Sequence, residues 1–282
     1  MNWTPIIEAF YTSLRVGAII LPLFLLVDFL NHKYGVAIEN LLRKSRKFMP
    51  LVGALLGILP GCNVAVVTAI FFTEGIASLG TLMAVLIAKS DEALYVFLPL
   101  GFRAFIPILL AKLILAIIAG YLIDFMPKMK VGAAKIEKEI EFCCAQHPHH
   151  DGRKGEILHA IKHTIRVMEI VFVTLALFNF VQDTYGTGFL TSFFGHIRPI
   201  EPIIAAFAGL IPGCGTSIAI ATLYVQKVIT FGAAVAGLST ASGEVFVVLA
   251  ARGVKAKYLV RIAAILVTIS AIAGIVLDLF IK

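Results

Sequence analysis

Long apolar runs dominate this chain, and its charged residues collect between them. Phe48 to Thr73 contains no Asp, Glu, Lys, Arg or His, and neither does Pro202 to Gln226. Further apolar runs occupy 16–27, 75–88, 113–123, 170–182, 228–243 and 262–277. A helix of about 20 such residues crosses the roughly 30 Å hydrocarbon core of a bilayer and satisfies its own backbone there. The pattern predicts an all-α, polytopic membrane protein. Two of the runs are interrupted alike, by "LPGCN" at 59–63 and "IPGCG" at 211–215. Pro60 and Pro212 each remove a backbone donor, and Gly61 and Gly213 tolerate the turn that follows.

The shared interruption belongs to a longer correspondence. A shift of 152 places lays 53–98 over 205–250 without a gap, and twelve of the 46 pairs are identical. They include Gly57/Gly209, Pro60/Pro212, Gly61/Gly213, Cys62/Cys214, Gly80/Gly232, Ser90/Ser242 and Glu92/Glu244. With small slips, Gly120 and Asp124 meet Gly274 and Asp278. The chain therefore divides into a first transmembrane repeat at 1–126, a polar connector at 127–158 and a second repeat at 159–282.

Loop charges set the relative orientation of the repeats. The 31–47 loop carries Lys33, Arg43, Lys44, Arg46 and Lys47 against Glu39, whereas its counterpart at 183–201 carries only Arg198 against Asp183 and Glu201. The connector and the 252–261 loop are rich in Lys and Arg. By the positive-inside rule, 31–47, 127–158 and 252–261 face the cytoplasm and 183–201 faces outward. Equivalent loops fall on opposite sides, which predicts an inverted repeat with both termini external and about five segments per half. Residues 48–100 must then supply an odd number of crossings. Three short passes satisfy this, as does one full crossing plus a re-entrant hairpin.

Composition agrees: 60% of the 282 residues are hydrophobic and 15% charged, with a mean hydropathy of +0.96, far from a soluble domain. The net charge of +7 sits beside apolar runs, so it reads as orientation signal rather than nucleic-acid affinity. No removable signal peptide is expected at the N-terminus. Four cysteines in so apolar a chain do not suggest a disulfide framework.

Inverted repeats with interrupted spans are the usual build of secondary transporters, with the site at the midplane where the halves meet. Backbone groups freed at a break cannot face lipid and must meet protein, water or ligand. The candidate substrate site therefore combines the breaks with neighbouring side chains: Cys62 and Asn63 in the first half, and Cys214, Thr216 and Ser217 in the second. The matched "KSDEALYVF" and "ASGEVFVVL" add Ser90, Asp91 and Glu92, and Ser242 and Glu244. Two glutamates near one axis would share a proton or bind a cation, because neighbouring carboxylates cannot both ionise cheaply. Either break could instead be a simple proline kink, and the Ser-x-Glu stretches an interfacial loop. The connector's "CCAQHPHHDG" offers His147, His149 and His150 as metal ligands, in a spacing that matches no closed zinc site. Lys112 reads as a residue that snorkels to an interface, and Asp124 and Asp278 as helix ends in headgroup water.

The stretches "GILPGCN" and "GTLMAVLIAKSDEAL", with their partners "GLIPGCG", "ATLY" and "ITFGAAVAGL" and a Cys/His-bearing central loop, resemble the ten-segment heavy-metal exporter family. Its members carry both manganese-transporter and arsenic-efflux labels. The resemblance spans nearly the whole chain and implies export of a metal or metalloid across a bacterial cytoplasmic membrane. Oxygen donors from Glu92, Glu244, Asp91, Asn63 and the broken backbone suit manganese, whereas the thiols of Cys62 and Cys214 suit trivalent arsenic. Manganese is the first expectation, since matched glutamates have little use in a thiol site. The expected partners are lipid, a small inorganic ion and a candidate coupling proton. No resident cofactor, enzymatic step or nucleic acid is expected, and homo-oligomerisation is left open. The alternatives are a metalloid permease, a membrane thiol–disulfide electron carrier working through Cys62 and Cys214, and a channel.

Overall fold

A computed structural model of the chain describes residues 10–14, 17–18, 22, 48–58, 63–90, 93–125, 161–162, 164–165, 168–169, 171–176, 180, 198, 200–212 and 214–280, with the side chains of 63, 95, 98–102 and 214 left aside. All regular structure among these residues is helical. In the first half α1 is Met49–Gly57, α2 Asn63–Thr73, α3 Leu79–Ala88 and α4 Ala93–Asp124. In the second, α5 is Glu201–Gly209, α6 Cys214–Val225, α7 Phe231–Thr240, α8 Gly243–Ala251 and α9 Ala256–Phe280. Helix boundaries thus recur at close to the 152-residue spacing. One difference stands out. The counterpart of the 32-residue α4 is divided into α8 and α9 by a turn with Gly253 at φ 79°, whereas α4 is one helix that bends in its first half, since Lys112 reaches Lys89 O and the rings of Phe97 and Phe105 stand 5.5 Å apart.

Helices α1, α2 and α3 have 9, 11 and 10 residues. At 1.5 Å per residue they reach about 14 to 17 Å, half a bilayer core. Their directions follow from close contacts at small residues. Gly53 lies against Thr81 and Val85, and Gly57 against Val85 and Ala88, so α1 and α3 run side by side in the same sense. Gly120, near the end of α4, lies against Pro50, Gly80 and Ala84, so α4 returns antiparallel to both. Helix α2 must therefore carry the chain back from the deep end of α1 to the start of α3. That geometry is a hairpin of two short helices between Met49 and Thr73, followed by a third short helix, and the PGC triplet lies outside the described residues. The second half repeats it: Gly237 meets Ala205, Gly209 meets Thr240 and Ala241, and Gly274 meets Pro202, Gly232 and Ala236. Close approach of this kind is what small residues permit between membrane helices.

Helices α3 and α7 form the centre. Every residue from Gly80 to Ala88, and from Gly232 to Thr240, is buried, as expected of a helix apolar on all sides. Among the described residues, three stretches are long and apolar enough to cross a membrane: Arg103–Asp124, Phe231–Ala251 and Ala256–Phe280. The shares of their windows buried inside the protein are 33%, 78% and 33%. The middle stretch, α7 followed by α8, is therefore an interior span, and the other two face lipid. On α4 the lipid face is the stripe Ile106, Leu110, Ile114, Ile118 and Leu122, all exposed at four-residue spacing.

Both central half-helices start on the same device. The Ser78 hydroxyl accepts from Thr81 N at 3.0 Å and donates to Asp124 Oδ2 at 2.7 Å, while Gly80 N donates to Asp124 Oδ1 at 2.9 Å. Thr230, Ala233, Gly232 and Asp278 repeat the pattern at 2.6 to 3.2 Å. Asp124 and Asp278 do end their helices. They also place negative charge on the positive N-termini of α3 and α7, a role that their sequence position alone does not reveal.

The apolar cores draw on both halves. Leu82, Leu86 and Phe72 pack in one cluster with Val245 and Leu249 of α8 and Leu266 of α9. Phe97 and Ile108 of α4 pack with Ile218 of α6 and Ala234 and Leu238 of α7.

Candidate functional site

The spanning chain of the second half is interrupted at Ala241 and Ser242, between α7 and α8. In the first half the equivalent interruption follows Ala88. The hairpin tips meet these interruptions. Ser90 N donates to Gly57 O at 3.2 Å, joining the end of α1 to the break after α3. Gly243 lies so close to Pro212 and the Leu210 carbonyl that a Cβ there would collide with backbone. Only glycine lets the second tip and the second break share that space.

The two breaks also meet each other. The buried Ser242 hydroxyl donates to Leu86 O at 3.2 Å, across the halves. Lys89 Nζ forms an ion pair with Glu244 Oε1, again across the halves. Lys112 Nζ, from the middle of α4, donates to Lys89 O at 2.5 Å and to Leu238 O at 2.9 Å. Lys89 and Lys112 are only 3% and 4% exposed. The last carbonyls of a helix have no intrahelical donor and carry its negative dipole end. Leu86 and Leu238 are such residues, and their helices end beside one another. The centre of the molecule is thus a cluster of carbonyl oxygens, hydroxyls and a carboxylate, held by two ammonium groups.

Of the residues singled out from sequence, Ser90, Ser242, Glu244 and Pro212 come together here. Thr216 and Ser217 stand in the first turn of α6 beyond the second tip, where the Thr216 hydroxyl donates to Ile211 O at 3.4 Å. Asn63 and Cys214 head α2 and α6, and nothing is said of their side chains. Pro60, Gly61, Cys62, Asp91, Glu92, Gly213 and the connector with His147, His149 and His150 lie outside the described residues. Among the described residues no group of three or more His, Cys, Asp and Glu is gathered around one point. The oxygen donors at the centre are mostly backbone.

Lys112 corrects the snorkelling expectation. It stands nine residues after Arg103 and twelve before Asp124, about 14 and 18 Å along the axis and farther than its stem reaches. That depth, legible in the sequence, was the signal. Lys89 was legible less directly, as the charged member of a matched stretch whose counterpart is Ala241.

These features define an all-helical, multi-pass membrane protein with a polar centre enclosed between two sets of half-helices. The family model described as "Putative, 10TM heavy-metal exporter" matches residues 4–170 and 156–282, and the chain belongs to that family. No curated protein and no solved structure matches the chain.

Proposed function

We propose that this protein is a secondary transporter that exports a divalent metal ion, manganese first, across the cytoplasmic membrane in exchange for protons. The observation that carries the reading is the convergence of the α3 and α7 carbonyl ends on a cation at the centre of the molecule. Half-helix C-termini at an interrupted span are the usual coordination for transported cations, and carbonyl, hydroxyl and carboxylate oxygens favour manganese over softer metals. Glu244 belongs to this centre, and this reading adds Glu92, Ser90, Asp91 and Asn63 from the 152-residue correspondence and the sequence alone. In this reading the halves have opposite topology, the connector is cytoplasmic, and the two assemblies of hairpin and broken span expose the centre alternately. The thiols of Cys62 and Cys214 are secondary donors in this reading.

The test is a metal panel in proteoliposomes, with and without an imposed pH gradient. We expect saturable Mn²⁺ flux that the gradient accelerates. Arsenite flux without Mn²⁺ flux would replace this reading with the thiol-based permease. Electron transfer abolished in a Cys62→Ala/Cys214→Ala double variant would replace it with a disulfide carrier.

A further inference from the structure

We propose that the Lys112 ammonium is a tethered competitor of the transported cation, occupying the oxygen site when cargo is absent and yielding it when cargo binds. This rests on the cation-export reading and adds a residue to it.

A structural alternative is that Lys112 merely satisfies helix-end carbonyls. The two halves argue against that. Leu86 and Leu238 are equivalent under the 152-residue shift, and both present a carbonyl at the meeting point. The Leu86 carbonyl is satisfied by a neutral hydroxyl from Ser242, at 3.2 Å. A hydroxyl is therefore sufficient for the structural task, yet the Leu238 carbonyl receives a full positive charge, 4% exposed and deep in a span. An ionised group in that position costs several kcal/mol to desolvate. By the Gly120/Gly274 alignment, the counterpart of Lys112 is Leu266, which is fully buried in the apolar core. One half alone carries the charge, so the fold does not require it.

A tethered ammonium and a divalent ion are hard cations with the same preference for oxygen. They cannot share the oxygens without strong repulsion in a poorly solvated site. With Lys112 in place, the two negative helix ends are neutralised without cargo, and an empty carrier can reset without dragging an ion back. When metal arrives, the ammonium must swing aside. Among the described residues, the charged and titratable groups on the surrounding elements are Lys89 at the end of α3, Glu244 at the start of α8, and Cys214 and Tyr224 on α6; α1, α3 and α7 themselves carry none. Lys89 is held by Glu244, which leaves Lys112 as the ammonium facing the carbonyls.

The test is equilibrium Mn²⁺ binding to the purified full chain, followed by electron paramagnetic resonance at neutral pH, in wild type, Lys112→Met and Lys112→Arg. We expect Lys112→Met to bind at least about tenfold more tightly than wild type. Lys112→Arg keeps a charge that cannot be lost. It should bind more weakly than wild type, because its five donors hold the carbonyls more firmly than an ammonium does, and it serves where the methionine variant does not fold. Wild-type affinity in both variants would overturn the competitor role while leaving metal export standing. Absence of Mn²⁺ binding in folded wild type would overturn both.

Discussion

The two halves of this protein share a plan and differ in where they hold charge. Each has a short hairpin, a span broken at its middle and a long outer helix that caps the central half-helix with an aspartate. The first half then adds Lys89 and Lys112 where the second has Ala241 and Leu266. The second half has Gly243, which admits the tip at Pro212, where the first has Asp91, and its Glu244, matched in sequence by Glu92, takes Lys89 as its partner. The shared features are those that build and cap helices. The differences gather where the halves touch, and a site between two repeats is where symmetry would be given up for chemistry.

The comparison is broken most severely at the ion pair. Lys89→Met leaves Glu244 without its cation beside the buried centre, and we expect a loss of about 3–5 kcal/mol of stability, read as reduced thermal stability in detergent, together with loss of transport. Lys89→Met/Glu244→Met should recover most of the stability, because both charges are gone, but not the transport. Recovery of both would show that the pair is only structural.

A smaller effect tests what the halves have in common. Asp124→Asn and Asp278→Asn remove the same cap from α3 and α7. Each should cost about 1 kcal/mol, with metal affinity unchanged. A large loss in one half only would mean that the matched geometry hides unequal roles.

The smallest effect concerns another asymmetry. Glu201 opens α5 where the first half has Met49, and it is 2% exposed at the mouth of the second hairpin, outside the three spans. Burial pushes its carboxyl above the usual carboxylate range, and the charge of Asp278 adds to this, while hydrogen bonding to Thr230 and the charge of Arg198 oppose it. A raised carboxyl favours the folded state while it is protonated. That contribution is present at acid pH and is lost as pH rises from the ordinary carboxylate value through the raised one. Glu201→Gln should therefore be more thermostable than wild type at neutral pH and above, with the advantage vanishing in acid. An equal advantage at all pH values would detach the effect from titration.

The apolar runs, the PGC triplets and the 152-residue correspondence made the helices and their interruptions legible in the sequence, because each depends on local chemistry. They also brought out Ser90, Ser242 and Glu244, which the fold does gather. Hairpin or three passes remained open, because direction depends on contacts such as Gly53 with Val85 and Gly120 with Pro50 that no local pattern encodes. Lys112 was misread for a related reason. An isolated lysine in an apolar run is ordinarily an interfacial anchor, and only its depth marks it as different. The Lys89–Glu244 pair joins positions far apart in the chain, and the 152-residue shift pairs Glu244 with Glu92 instead.

The central claim is that cargo binds where the two breaks meet. It is tested most directly by comparing equilibrium Mn²⁺ binding in Ser242→Ala and Glu244→Gln with binding in Asp124→Asn, which lies at the far end of the same half-helix assembly. The account predicts that the first two lose affinity by about tenfold or more and that the third binds as wild type does. Full binding in both central variants, or loss only in the cap variant, would contradict it.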